Sequence, residues 1–395
     1  MELLRKSTLL YVNQVRQENF EILFGKGISE ALSWRDYFKR IIFVCYSSTN
    51  KYLYRKLYNN CYLIGIPFEL SSSVIKSLFN IGKNYLNLFL LLFRLTKKIQ
   101  IDLFRIENLL ISGLPLYLIS KIREIPYIMW LGGFERKSLL IKYEGNIFTW
   151  LLSKLIVCLE KIILKNANFV FPVTEELNEL AEKRNVKNKI LSPNYIDIAK
   201  FKDQQIKEKL NSSEKIKVLY VGRFEEEKGI RVLIQAIKIL SKKRDDIEFF
   251  LAGKGSLETW IKNFIKINHL TNLKLLGIFS HEDMPKIYNK ADIFLLPSYT
   301  EGSPAALIEA MSCEIPSIAT SVGLCKVFIK SGENGILIPP GEPIKITEAI
   351  ESLVDNKDLM EKYGKNGRAT IIKYTKNYSK IHMYVYKKIL NQLKN

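Results

Sequence analysis

Along the C-terminal half of the chain, short β-branched apolar runs alternate with stretches whose apolar residues recur at helical spacing. That alternation builds a parallel sheet with crossover helices. Val218–Val221 reads as a strand leading through Gly222-Arg223-Phe224 into a helix that carries Val232, Leu233, Ala236, Ile237 and Leu240 on one face. The unit repeats with strands at Ile247–Ala252, Leu273–Leu276, Ile293–Leu296 and Pro316–Thr320, separated by helices from Ser256, near Met284–Asn289 and over Pro304–Ser312. Ser303 suits the N-cap of the last of these helices and Pro304 its first position. The N-terminal half gives strands at Leu9–Val12, Ile41–Tyr46, Tyr62–Ile66, Leu103–Ile106, Tyr127–Trp130 and Val170–Val173. The pattern predicts an α/β chain of two Rossmann-like domains: residues 1–190, a connection over 191–214, a second domain over 215–356, and terminal helices over 357–395.

Composition narrows the class. At 395 residues with 47% apolar residues, 21 Phe and 20 Tyr, the chain fills two cores and has no long Ser/Gly/Pro-rich arm. A formal charge of +20 favours polyanions, phosphorylated metabolites or an anionic membrane surface. Nucleic acid is not expected, because the basic residues are dispersed and no helix-turn-helix, zinc-finger or RNA-recognition signature occurs. Cys45, Cys61, Cys158, Cys313 and Cys325 form no Cys-x-x-Cys pair, so buried reduced thiols are expected. The opening Met-Glu-Leu-Leu-Arg-Lys does not resemble a secretory leader, and the longest apolar run, Leu88–Phe93, is far short of the roughly 20 residues that span a bilayer. A cytoplasmic location follows as an expectation. Lys83–Lys98 and Phe148–Leu164 mix apolar and aromatic residues with Arg94, Lys97, Lys98, Lys154 and Lys161. Two readings stay open for them: interfacial helices on the inner membrane face, or crossover helices packed on their own sheet.

The most specific chemistry lies in Glu301-Gly-Ser-Pro-Ala-Ala-Leu-Ile-Glu309, two carboxylates eight residues apart around a helix start. With Ser303 as cap, the N–H groups of Ala305, Ala306 and Leu307 point out of the positive end of the helix, where a diphosphate binds. Glu309 then sits roughly 9 Å along the axis from the cap, and the two acids flank the diphosphate, one toward sugar and one toward ribose hydroxyls. Arg223 and Lys228, in the turn after the Val218–Val221 strand, stand at a strand C-terminus, the ligand end of an open parallel sheet. Arg offers a bidentate fork and Lys a point charge to phosphate oxygens.

Taken together, Ser192-Pro-Asn-Tyr-Ile-Asp197, Tyr220–Gly229, Leu251-Ala-Gly-Lys-Gly255, Leu276-Gly277, Ala291–Ser298, Glu301–Glu309 and Glu333-Asn-Gly335 resemble the family 4 glycosyltransferases over about residues 165–390. The resemblance implies the GT-B fold: two Rossmann-like domains facing a central cleft, with a C-terminal helix crossing back to the first. It implies a retaining enzyme that moves a hexosyl-type group from a nucleotide-diphosphate sugar, which is a substrate and not a cofactor. The acceptor is a saccharide or lipid-linked molecule of envelope or surface polysaccharide synthesis. By the same resemblance Arg223 and Lys228 bind the diphosphate, Glu301 the transferred sugar and Glu309 the ribose. Gly277 and Ile278 lie by the base, with Gly222 and the Gly253–Gly255 loop on the donor side.

The first domain departs from the family pattern. Val12 is followed by Asn13-Gln14-Val15-Arg16 where a Gly-Gly pair is usual, and Leu131-Gly132-Gly133 stands where a His commonly follows the strand. Asn13, Gly132 and Gly133 are the acceptor-side candidates, and His269, His281 and His382 read as surface or structural. No Asp-x-Asp marks a strand end, so no metal ligand is assigned and metal-independent transfer is expected. A nucleotide-sugar epimerase of the same architecture and a non-enzymatic polyanion-binding protein are the alternatives.

Overall fold

The computed structural model describes residues 2–16, 34–47, 52–67, 74–107, 109–132, 147–193, 198, 200, 201 and 215–392. Two compact units emerge: Met1–Pro193 with Ser379–Asn395, and Asn194–Tyr378. Most of the connection expected over 191–214 lies outside the described residues, as does Gly133.

Unit 1 is built on β1 (Thr8–Arg16), β2 (Arg40–Ser47), β3 (Leu53–Tyr58), β4 (Cys61–Pro67), β5 (Leu103–Ile106), β6 (Tyr127–Leu131) and β7 (Phe169–Pro172). Its helices are α1 (Val74–Lys98), α2 (Leu114–Arg123), α3 (Ile147–Asn166) and α4 (Glu175–Lys183). The strand order is β3-β4-β2-β1-β5-β6-β7, parallel except for β3, which pairs antiparallel with β4 at the edge. β5 and β6 are buried along their whole length, as strands covered on both faces must be.

The core of unit 1 is polar at its centre. Arg105 of β5 is fully buried, its guanidinium 4.6 Å from the Trp130 ring, 4.8 Å from Trp34 and 5.1 Å from Tyr11. It donates to Tyr386 Oη at 2.7 Å and meets Glu107 at 3.3 Å. His382 stacks on Phe171 with ring centroids 4.0 Å apart and shares a 2.9 Å hydrogen bond with Ser192. Burial, with the Arg105 charge adding to it, holds the His382 imidazole well below its usual range. Both Tyr386 and His382 belong to the end of α10 (Lys357–Gln392), which is why Ser379 onward counts with this unit.

Unit 2 carries β8 (Ile216–Val221), β9 (Ile247–Ala252), β10 (Leu273–Gly277), β11 (Ile293–Leu296), β12 (Ser317–Thr320) and β13 (Ile336–Ile338), all parallel, in the order β10-β9-β8-β11-β12-β13. Between them run α5 (Ile230–Lys243), α6 (Glu258–Ile267), α7 (Met284–Tyr288) and α8 (Ala305–Ser312), and α9 (Pro343–Val354) follows β13. The apolar stripe read from sequence on α5 does face inward, with Leu233, Ala236, Ile237 and Leu240 buried. The fold is thus mixed α/β with two predominantly parallel sheets.

Several expectations need correction. Four cysteines are buried as expected, but Cys158 on α3 is exposed. Burial pushes the Cys45 thiol up to about 12 and Cys61 up to about 11. Of the two readings left open for Lys83–Lys98, packing on the sheet holds for one face of the helix, since Leu88 and Leu92 are fully buried. The apolar period follows the helix, so Leu88 and Leu92, four residues apart on successive turns, share the face toward the sheet. Finally, α8 starts at Ala305 and Pro304 occupies the N-cap with φ −77° and ψ 77°, outside helical geometry, so Ser303 is not the cap. The Ala305 N–H closes back on the Ser303 carbonyl at 2.9 Å and does not point freely out of the helix.

Candidate active site

In unit 2 the chain runs outward from β8 to β9 and β10 on one side and from β11 to β12 and β13 on the other. The topological switch point therefore lies between β8 and β11, where open parallel sheets bind ligands beyond their strand C-termini. The turn after β8 holds Arg223 and Lys228, and the loop after β11 holds Glu301. Across this crevice Lys228 Nζ meets Glu301 Oε1 at 2.8 Å, with the side chains 20% and 8% exposed. Ser298 Oγ donates to the same carboxylate oxygen at 2.7 Å. Arg223 stays at the rim, 66% exposed, and pairs with Glu227 at 2.6 Å.

Backbone bonds and close approaches hold the two loops in place. Tyr299 N–H donates to the Glu227 carbonyl at 2.9 Å, and Thr320 Oγ1 to the Ser298 carbonyl at 2.6 Å. Gly229, with φ +67°, lies so close to the Pro297 carbonyl that an added Cβ would stand 2.0 Å from its oxygen. On the other side Gly253 N–H donates to the Gly277 carbonyl at 2.7 Å, and a Cβ on Gly253 would meet the Gly222 oxygen at 1.8 Å. Glu225 takes both the N–H and the hydroxyl of Ser256, and these hydrogen bonds hold its carboxyl below the usual range. The loops after β8 and β9 therefore form one backbone-lined ledge bearing Gly222, Gly253 and Gly255. Gly277 adjoins it with φ +77°, followed by Ile278, which is half exposed at 53%.

Glu309 is separate from this charge pair. Its carboxylate is buried within α8, where Oε2 accepts the Tyr288 hydroxyl at 2.8 Å, while burial and the Glu309 charge raise Tyr288 well above the usual phenol. Sequence reasoning found Glu309 but missed Tyr288 and Gly229, whose partners Glu309 and Pro297 lie far away in the chain, and Ser298, which donates to Glu301 three residues on. Ala306 is half-buried and Leu307 fully buried at the start of α8. Of the acceptor-side candidates, Asn13 lies in β1 with its side chain outside the described residues, and Gly132 is exposed just past β6. His382 and His281 are buried and His269 exposed. Among the described residues no cluster of His, Cys, Asp or Glu has the geometry of a metal site.

Two Rossmann-like units are the fold that the chain shares with solved GT-B glycosyltransferases. Sucrose-phosphate synthase from Thermosynechococcus elongatus has the same fold, with TM-score 0.76 over 98% of this chain and 100% of that one at 18% identity. Residues 201–370 match the model of the glycosyl transferases group 1. It is 35% identical over 150 residues to an uncharacterized glycosyltransferase of Methanocaldococcus jannaschii, covering 38% of this chain and 41% of the relative. It is 29% identical over 226 residues to the capsular polysaccharide biosynthesis glycosyltransferase CapM of Staphylococcus aureus, covering 54% and 59%. The chain thus spans less than two thirds of the length of either curated relative.

Proposed function

We propose that the chain is a retaining, metal-independent glycosyltransferase whose donor is a nucleotide-diphosphate sugar bound at the β8/β11 switch point. The observation that carries this reading is the Lys228–Glu301 pair held over a backbone ledge at the end of a parallel sheet. A diphosphate entering there exchanges partners: Lys228 and Arg223 turn from Glu301 and Glu227 to phosphate oxygens, and Glu301 accepts from hydroxyls of the sugar. The bond from the anomeric carbon to the phosphate oxygen then breaks, and the two cations absorb the charge growing on the leaving diphosphate. The acceptor hydroxyl bonds to the same face of that carbon and gives its proton to a leaving phosphate oxygen, so configuration is retained without a protein nucleophile. Glu309, with one oxygen fixed by Tyr288, serves the ribose.

The acceptor in this reading is a saccharide or lipid-linked molecule of surface polysaccharide synthesis, a role that the name of CapM supports by analogy. An acceptor held in a membrane also suits the +20 charge of the chain, as each Lys or Arg near an anionic surface contributes about 1 kcal/mol. No helix among the described residues is long and apolar enough to cross a membrane. The test is release of nucleoside diphosphate from a panel of nucleotide sugars. Release that needs an added saccharide or lipid extract and survives EDTA is the expected result. Turnover lost in EDTA and restored by manganese overturns metal independence, and sugar interconversion without diphosphate release indicates an epimerase.

A further inference from the structure

The three crossovers β4 to β5, β5 to β6 and β6 to β7 all advance in one direction along the sheet of unit 1. Right-handed crossovers that advance the same way lie on the same face, so α1, α2 and α3 form one layer. Consistent with this, α1 packs on α2 and α2 on α3. Each helix buries a stripe against the sheet, including Leu88 and Leu92, Leu116 and Ile119, and Ile163 and Leu164. The opposite stripes are not the polar surface that an ordinary crossover helix shows. Leu86, Leu90, Leu118, Ile122, Leu155 and Ile162 are between 39 and 57% exposed there.

Basic residues share those stripes. On α1 the exposed positions Lys83, Leu86, Leu90, Arg94 and Lys97 recur three and four apart, which places them on one outward line. Lys121 on α2 and Lys154, Lys161 and Lys165 on α3 are likewise exposed. Acids are missing from the layer: α1 and α2 contain none, and the one acid of α3, Glu160, is buried and bound to Arg184 at 2.8 Å. The first acid beyond α2 is Glu124. Long basic stems also lie along aromatic rings, with Lys97 Nζ 4.7 Å and the Arg123 guanidinium 4.9 Å from the Phe93 ring centroid.

We propose that this outward face of α1, α2 and α3 is a docking surface for an anionic lipid bilayer, with the leucine and isoleucine side chains entering the headgroup boundary and the lysines meeting lipid phosphates. The proposal rests on the membrane-held acceptor reading above and assigns it a place. A layer of a single sign with exposed aliphatic residues spread over three adjacent helices matches a leaflet, which offers anionic headgroups and an apolar boundary over one continuous surface.

Co-sedimentation of the full chain with vesicles tests it, using phosphatidylcholine alone and phosphatidylcholine mixed with phosphatidylglycerol. Binding is expected only to the mixed vesicles, and added salt should weaken it. The Arg94→Glu/Lys97→Glu variant should bind at least about tenfold more weakly, and Leu86→Ser/Leu90→Ser should also bind more weakly. The control Lys242→Glu/Lys266→Glu, on α5 and α6 of unit 2, lowers the net charge equally and should change binding less than about twofold. Equal loss in the control means that net charge alone drives adsorption and overturns this face. No binding of the wild type to either vesicle at low salt overturns both the face and the membrane reading. The donor site is judged separately, by the thermal shift that nucleoside diphosphates cause. That shift, kept in every variant, also shows that the variants are folded. Self-association abolished by Leu86→Ser/Leu90→Ser, in a protein that ignores vesicles, assigns the face to a second copy of the chain and contradicts the proposal.

Discussion

Both units place a basic residue beside an acid at the point where their sheet reverses direction, yet the two pairs are built for opposite ends. In unit 1 the reversal falls between β1 and β5, and there Arg105 is fully buried and enclosed by Trp34, Trp130, Tyr11 and Tyr386. In unit 2 it falls between β8 and β11, and there Lys228 and Glu301 keep 20% and 8% of their side chains in solvent, with no aromatic ring recorded over the lysine among the described residues. A guanidinium stacked and hydrogen-bonded on several sides has no cheaper partner to turn to. In the proposed function, the ammonium held by one carboxylate exchanges it for a diphosphate. Shared topology thus supplies a crevice in each unit, closed by aromatic packing in unit 1 and proposed as the donor site in unit 2.

Substitutions that separate stability from turnover test this contrast. Arg105→Ala is expected to have the largest effect on folding, about 3–5 kcal/mol, because it leaves a buried partner network without its cation. Denaturant titration reads this, and a loss under about 1 kcal/mol would erase the contrast. Lys228→Ala should lower turnover about 10²–10³-fold with little change in the same titration. If its stability falls as far as that of Arg105→Ala, the unit 2 pair is structural too.

A smaller effect is expected from Tyr288→Phe, which removes one donor from the buried Glu309 carboxylate and should cost about 1–3 kcal/mol of stability. An unchanged unfolding midpoint would show that Glu309 does not depend on that hydroxyl.

The smallest effect is a pH dependence confined to unit 1. His382 has its folded pKa depressed by burial and by Arg105, so the unfolded chain takes up the proton first. Its contribution is fully present above the unfolded value of about 6.5 and is lost as pH falls from there toward the folded pKa. Unfolding followed from pH 7.5 down to 5 should show a decline that His382→Leu flattens. An identical slope in that variant would remove His382 as the source.

Periodicity made the parallel strands and the inward faces of their helices legible, and β5, β9 and β11 begin and end where the apolar runs do. β3 escaped because Leu53-Tyr-Arg-Lys-Leu-Tyr58 is an exposed edge strand, whose charged residues guard an edge and leave no apolar run to read. The helix start at Glu301–Glu309 was legible to within one residue. The Ser303 rule failed because the backbone at Pro304 turns before it becomes helical. The site's residue types were legible, but their pairing was not: Lys228 and Glu301 lie 73 residues apart, and Arg105 and Tyr386 lie 281 apart. Such partners are set by which strands become neighbours, information that local spacing does not carry.

The most direct test of the central claim is the thermal stability of the wild type and of Lys228→Ala across a panel of nucleoside diphosphates. The account predicts that one nucleoside diphosphate stabilises the wild type, by about 2.7 kcal/mol at 100 times its dissociation constant, and that the variant loses most of this gain while its unliganded stability is unchanged. An equal gain in both proteins, or none from any nucleoside diphosphate, would contradict a donor site at the β8/β11 switch point.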